Sequence, residues 1–153
     1  MARAAMEGLG LDQVIFVPAN CSPHKTDRGL APATHRLAMA RLAVRDQKNL
    51  IVSDVEIKRG GTSYTVDTAR YFRRRYPKDQ LFFIIGEDSI QGLGDWKNID
   101  RILNILSFIA VNRERCPVSS SQIRRCLSRQ QSIQGLIPAA VIGYIRQKGL
   151  YVQ

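Results

Sequence analysis

The chain has 153 residues, 44% of them apolar and 24% charged, the balance of one ordinary globular domain. Lys and Arg outnumber Asp and Glu by 23 to 13, a net charge of +10, which points to anionic partners such as nucleotides or nucleic acid. No run is long enough to cross a bilayer, MARAAMEGLG lacks the apolar stretch of a signal peptide, and the scattered Cys21, Cys116 and Cys126 read as reduced thiols of a cytoplasmic protein.

In chain order, Ala2 to Glu7 is alanine-rich and runs into Gly8-Leu-Gly10, which predicts a helix with a glycine stop. The β-branched run Val14 to Val17 predicts a strand ended by Pro18. Pro18 to Pro32 is rich in Pro, Gly and polar residues and reads as an irregular loop. Its His24 and Lys25 are either working residues or merely solvated. Thr34 begins a helix through Arg45 that mixes apolar Leu37, Ala38 and Leu42 with basic Arg41 and Arg45. Leu50 to Val52 predicts a second strand. Asp54 to Lys58 alternates apolar and acidic residues, and Arg59-Gly60-Gly61 turns the chain. Thr62 to Asp67 opens a helix to about Tyr76. The hydroxyls and Asp67 there either cap that helix or hold a polar ligand at its positive end. Arg70, Arg73, Arg74 and Arg75 form a solvated face of the helix or a nucleic-acid stripe. Pro77 stops it.

Leu81 to Ile85 is a continuous apolar run that breaks into Gly86, Glu87 and Asp88, the pattern of a buried parallel strand. Ligands of open α/β sheets bind just past the carboxyl ends of the strands. Gly86 lets a backbone pass close there. Asp88 offers a carboxylate to a sugar hydroxyl or a metal-bound phosphate, unless it serves only as a helix N-cap. Trp96, the one tryptophan, follows Gly92 and Gly94, and either stacks on a flat ring or lids the core. Ile99 to Leu106 has helical spacing, and Phe108 to Val111 predicts a fourth strand. Val118 to Arg124 then starts a helix to about Ser128. Its serines and Arg124 make either an anion site, built of free N–H groups, helix dipole and guanidinium, or a plain serine cap with a solvent arginine. Pro138 to Gln147 is a last helix with proline in its first turn, and Leu150 to Val152 is a tail. The alternation of strands and helices predicts an α/β fold with a doubly wound parallel sheet, in one domain spanning residues 1–153.

Taken in order, these segments resemble the bacterial nicotinate-nucleotide adenylyltransferase family of the HIGH-type nucleotidyltransferases. Phe16 to Lys25 (FVPANCSPHK) resembles its strand-end loop, and Ser63 to Thr68 (SYTVDT) its substrate loop. Phe83 to Trp96 (FIIGEDSIQGLGDW) matches its strand, Gly-x-Asp and tryptophan, and Phe108 to Arg113 (FIAVNR) the next strand. Val118 to Arg124 (VSSSQIR) matches its serine motif, with Ser121 where the family has threonine. The resemblance covers nearly the whole chain. It implies a Rossmann-like nucleotidyltransferase fold and transfer of an adenylyl group from ATP to nicotinate mononucleotide, with Mg²⁺ accompanying ATP. By the same resemblance Trp96 stacks on the nicotinate ring, and Tyr64 and Thr65 hold its carboxylate, largely through backbone amides. Gly86 and Asp88 line the nucleotide site. Ser120, Ser121 and Arg124 bind the ATP phosphates, and His24 and Lys25 lie near the reacting phosphates. Neither a membrane nor nucleic acid is an expected partner, and the oligomeric state, homo-oligomer included, stays open.

Two departures from the family pattern shape the expectation. The family begins with a strand and a glycine-rich turn into His-x-Gly-His, whose histidines contact the ATP phosphates; neither the strand nor that motif is present in these residues. Only Glu114 to Pro117 stand between Arg113 and the serine motif, where the family has a longer segment. The expectation is therefore an N-terminally truncated nucleotidyltransferase-like domain, first strand missing, with little activity of its own. The alternatives are an inactive nucleotide-binding paralogue, a basic RNA-binding factor, and a related enzyme with another acceptor such as a pantetheine phosphate. SYTVDT and Trp96 speak against the last.

Overall fold

The computed structural model describes residues 1–23, 29–112 and 118–151. Helix α1 (Ala2–Leu9) ends at Gly10, whose φ of 60° is the left-handed turn that glycine adopts without Cβ strain, and the Gly10 N–H donates to the Met6 carbonyl. Strand β1 (Val14–Phe16), helix α2 (Ala33–Val44) and strand β2 (Leu50–Val52) follow. The Asp54–Lys58 stretch, with its alternating pattern, folds as the short helix α3 (Val55–Arg59), stopped by Gly60 at φ 72°. Helix α4 (Thr65–Arg75) leads into β3 (Phe82–Gly86), and two short helical turns, Glu87–Ser89 and Leu93–Asp95, carry the chain to α5 (Ile99–Leu103). This helix is shorter than its apolar spacing predicts, because the Ser107 N–H is drawn to the Leu81 carbonyl at 3.0 Å, where β4 (Ser107–Val111) begins. Helices α6 (Ser120–Ser128) and α7 (Ala139–Gln147) close the fold.

Among the described residues all pairing between strands is parallel. Val14, Ile15 and Phe16 register with Leu50, Ile51 and Val52, and Phe82 to Gly86 with Ser107 to Val111. Among the described residues these are two separate two-stranded sheets, β1-β2 and β3-β4, rather than one continuous doubly wound sheet. The expected parallel α/β fold is present, and among the described residues β1 and β3 share no partner strand. A single parallel bridge, Cys21 to Thr62, joins the loop after β1 to the segment before α4.

Among the described residues two apolar clusters form the core. Val66 and Ala69 of α4 pack with Ile102 and Leu106, and Tyr64, Phe83, Trp96 and Phe108 close over them. Ile123 of α6, Ile133 and Ile142 of α7 make the second. Helices α2 and α7 are pinned where His35 Nδ1 and the Tyr144 hydroxyl share a 2.8 Å hydrogen bond. On α4, Arg73 is no solvated cation. Its guanidinium donates to the carbonyls of Tyr76, Pro77, Asp79 and Ile105. That fastens the turn after α4 to the end of α5 and removes the central charge from any nucleic-acid stripe. Arg70 pairs with Asp67 at 3.7 Å. No helix among the described residues is long and apolar enough to cross a membrane.

Candidate functional site

The carboxyl end of β3 supplies one wall. Gly86 is buried, with φ −77° and ψ 149°, a conformation open to any residue, so its value lies in lacking a side chain rather than in backbone freedom. Asp88 is exposed within the Glu87–Ser89 turn. Gly86, not Asp88, stands at the cap position of that turn. Nine residues on from Glu87, the Trp96 N–H donates to the Leu93 carbonyl at 3.1 Å. Its indole meets Phe83 edge-on at 5.4 Å and Phe108 at 5.9 Å between ring centroids. The lid over the core is thus realised, and the half-buried ring keeps part of its surface outside.

The amino end of α4 is the second wall. Tyr64 occupies the cap position in extended conformation and no side chain caps the helix. The expected capping groups are engaged elsewhere: Ser63 Oγ accepts from the Asn20 N–H at 2.8 Å, and Asp67 lies inside the first turn beside Arg70. An uncapped start of an 11-residue helix leaves N–H groups and the positive dipole end for an anion. Lys97 Nζ sits 4.0 Å from the centroid of the Tyr64 ring, so the residue after Trp96 spans to the segment that carries Tyr64 and Thr65. Sequence reasoning missed Lys97, whose one signal is its place beside the tryptophan. It also missed Asn20, which a local pattern does not reveal because its partner is distant in the chain.

The loop after β1 is bound to this wall at Asn20 and Cys21. The Ser63 N–H donates to the Cys21 carbonyl at 2.7 Å, Asn20 Nδ2 to the Gly61 carbonyl at 2.9 Å, and Arg36 Nη2 to the Asn20 carbonyl at 2.9 Å. His24 and Lys25, in the same loop, lie outside the described residues. Asp54, just past β2, accepts from Arg41 at 3.1 Å and lies 3.2 Å from Lys58 Nζ. The Lys58 hydrogen bond, with the charges of Lys58 and Arg41, holds its carboxyl below the ordinary value.

Ser120, Ser121 and Arg124 sit on α6. Ser119 caps the helix, accepting from the Gln122 N–H at 3.1 Å. That leaves Ser120 and Ser121 exposed at the positive end, with Arg124 Nη2 donating to Ser121 Oγ at 3.2 Å. Because Ile123 anchors α6 in the second cluster, this face stands on a different part of the core from Trp96 and Tyr64. A groove lined by Arg73, Asp79, Phe82 and Leu103 opens at the amino ends of β3 and β4, the wrong end of the strands for this site. Among the described residues no three His, Cys, Asp or Glu side chains converge as a metal cage.

Residues 1–126 match the cytidylyltransferase-like family. The nicotinate-nucleotide adenylyltransferase of Bacillus subtilis is 35% identical to the chain, over 99% of the chain and 88% of that protein. A protein of Opitutus terrae assigned the same activity is 36% identical, over 98% of the chain and 88% of its own length. The Plasmodium falciparum nicotinic acid mononucleotide adenylyltransferase, solved in complex with NaAD, superposes with a TM-score of 0.69 over 92% of this chain and 83% of that one, at 18% identity, so the likeness there is one of fold. With its parallel strand pairs, its strand-end Gly-x-Asp and its uncapped SYTVDT helix, the chain belongs to the nicotinate-nucleotide adenylyltransferase family, within the cytidylyltransferase-like nucleotidyltransferases.

Proposed function

We propose that this protein transfers the adenylyl group of ATP to nicotinate mononucleotide, forming nicotinate adenine dinucleotide and pyrophosphate in NAD biosynthesis. The observation that carries the reading is the meeting of Trp96 and Tyr64 on one apolar cluster, beside the uncapped start of α4. A flat, negatively charged pyridine ring suits that corner: the indole offers a stacking surface, and the helix start and Lys97 offer positive charge.

In this reading a phosphate oxygen of the mononucleotide attacks the α-phosphorus of ATP, and the bond to the pyrophosphate oxygen breaks. No covalent enzyme intermediate is needed, so the residues work by positioning and by stabilising charge. Tyr64 and Thr65 present backbone N–H groups to the nicotinate carboxylate. Gly86 leaves room at the strand end, and Asp88 accepts from a ribose hydroxyl. Ser120, Ser121 and Arg124 hold the phosphates of ATP, and His24 and Lys25 are assigned to the reacting phosphates. Mg²⁺, bound with ATP, supplies charge neutralisation on the leaving group. The scattered cysteines, with the Cys126 thiol free, support a cytoplasmic site of action.

The test mixes the chain with ATP, Mg²⁺ and nicotinate mononucleotide and follows binding by Trp96 fluorescence and product by chromatography. Binding of both substrates is expected, with nicotinate mononucleotide preferred over a pantetheine phosphate. Preference for the pantetheine phosphate would sink this reading. Binding of both substrates with no dinucleotide formed at any enzyme concentration would leave an inactive nucleotide-binding paralogue.

A further inference from the structure

The buried polar side chains of the described core are Glu56, Ser63 and Thr68, between 7% and 8% exposed, and all three serve one short stretch of chain. Thr68 Oγ1 donates to Glu56 Oε1 at 2.5 Å, Arg59 Nη2 donates to Thr68 Oγ1 at 3.1 Å, and Arg59 lies 4.0 Å from Glu56 Oε1. Glu56 and Arg59 belong to α3, Thr68 to α4, and Gly60 to Tyr64 connect the two helices. From the other side, Ser63 is tied to Asn20.

Burying polar groups is costly unless every one is bonded, and an apolar contact would hold two helices together more cheaply. What a bonded carboxylate adds is direction: it fixes rotation and register where apolar packing would tolerate sliding. Here the register being fixed is that of the first turn of α4, where the Tyr64 and Thr65 amides start. We infer that Glu56, acting through Thr68 and Arg59, is a positioning residue that holds the Tyr64–Thr65 amides in place for the mononucleotide acceptor. The inference rests on the proposed reading of that segment as the acceptor site, and none of the three side chains touches substrate in it. ATP, held at α6, does not depend on the brace.

The experiment uses the full 153-residue chain and three variants, Thr68→Val, Thr68→Ser and Glu56→Gln, with two readouts. The first is hydrogen exchange without ligand at the amides of Tyr64 to Asp67, against those of β3 as an internal reference. The second is affinity for nicotinate mononucleotide and for ATP by calorimetry. In Thr68→Val, exchange at Tyr64 to Asp67 should rise and mononucleotide affinity fall roughly tenfold or more, the size of a lost bond to a charged group, while β3 exchange and ATP affinity stay within about twofold. Thr68→Ser, which keeps the hydroxyl, should behave like the parent, and Glu56→Gln should move the same way as Thr68→Val. If Thr68→Val does not fold, Glu56→Gln carries both readouts. Unchanged exchange at Tyr64 to Asp67 overturns the inference. So does a rise in exchange with mononucleotide affinity intact, or an equal loss for ATP, which would make the cluster a general fold brace. A parent chain that binds no nicotinate mononucleotide overturns the functional reading instead, and the exchange data then decide alone whether Glu56 holds the helix start.

Discussion

Phe83 and Trp96 meet edge to face, their ring planes at 86° and centroids 5.4 Å apart, so β3 buttresses the indole through Phe83. Phe108, on the neighbouring strand, supports the same ring at 77°. Both roles drawn from the sequence for Trp96, lid and stacking surface, are compatible with a residue that packs on the core while only half-buried. Trp96→Ala should therefore cost about 2 kcal/mol of stability, two aromatic pairs at roughly 1 kcal/mol each. It should also weaken nicotinate mononucleotide binding while sparing ATP. Trp96→Phe should recover most of the stability. Denaturant unfolding and calorimetry on the three proteins would check this, and equal loss of both ligands would reduce Trp96 to a core residue.

Arg73 is predicted to be the costliest of the α4 arginines to remove. Its 2.8 Å bonds to the Asp79 and Ile105 carbonyls join segments that apolar contacts alone do not fix. Arg73→Ala should lower stability by about 1–3 kcal/mol by leaving those carbonyls without their donor. Arg73→Lys should recover little, since an ammonium cannot reach several carbonyls in a fixed fork. Arg74→Ala and Arg75→Ala should stay within about 0.5 kcal/mol. Urea unfolding of the four variants reads all of this.

The same arginine shows where sequence reading stops. The helix was legible from Pro77 and from its spacing, but which of its four arginines faces solvent depends on the end of α5, more than thirty residues away. The strands were legible because apolar β-branched runs ending in proline, glycine or acid carry their own punctuation. Asp54–Lys58 was not: five residues are too few to tell a turn of helix from an extended stretch, and Gly60 settles it only in context. In the site, SYTVDT, Gly-x-Asp and Trp96 were legible as motifs. The partners that orient them, Asn20, Glu56 and Lys97, were not, since each acts across the fold rather than along the chain. The serine that caps α6 is Ser119, one position before the pair assigned to phosphate, so neither Ser120 nor Ser121 is spent on the cap.

Asp54 should give the acid limb of the stability curve part of its slope. The Lys58 hydrogen bond and the Lys58 and Arg41 charges lower its carboxyl below 3.8 in the folded protein. A depressed folded value means the contribution is complete above the unfolded value and fades as pH falls through the folded one. Stability should therefore be insensitive to Asp54 at neutral pH changes and decline below about pH 4. Asp54→Asn should flatten that decline, and added salt should shrink the difference because the pair is exposed. Thermal unfolding between pH 2 and 6, for the parent and the variant, tests it; parallel acid limbs would remove Asp54 from the account.

Arg124→Ala should weaken ATP binding by roughly 1.5–3 kcal/mol, toward the low end because the guanidinium is half-exposed. The helix itself should hold, since Ser119 provides the cap and Ile123 the anchor. Nicotinate mononucleotide affinity should be unchanged, as the acceptor corner stands on the other cluster. Calorimetric titration with each nucleotide separates the two, and unchanged ATP affinity would leave Arg124 as no more than the partner of Ser121.

The 153-residue chain, assayed as it stands, is expected to turn over slowly. Adenylyl transfer depends on donors fixed around the α-phosphorus and the leaving pyrophosphate, and losing one such donor typically costs ~10²–10³ in rate. The chain holds two histidines, His24 and His35, and no His-x-Gly-His. His35 is committed to Tyr144 in the α2–α7 contact and cannot stand in. The strand pairs add a structural side to the expectation: β1 and β3 each have one parallel neighbour among the described residues, so each offers an edge to a further strand. An extension fused before Met1, carrying a β-branched strand, a glycine-rich turn and His-x-Gly-His, should raise both unfolding temperature and dinucleotide formation. The same extension with both histidines changed to alanine should raise the unfolding temperature alone. Near-normal turnover by the 153-residue chain would sink this expectation, because the α4 and α6 sites would then position the reaction without help.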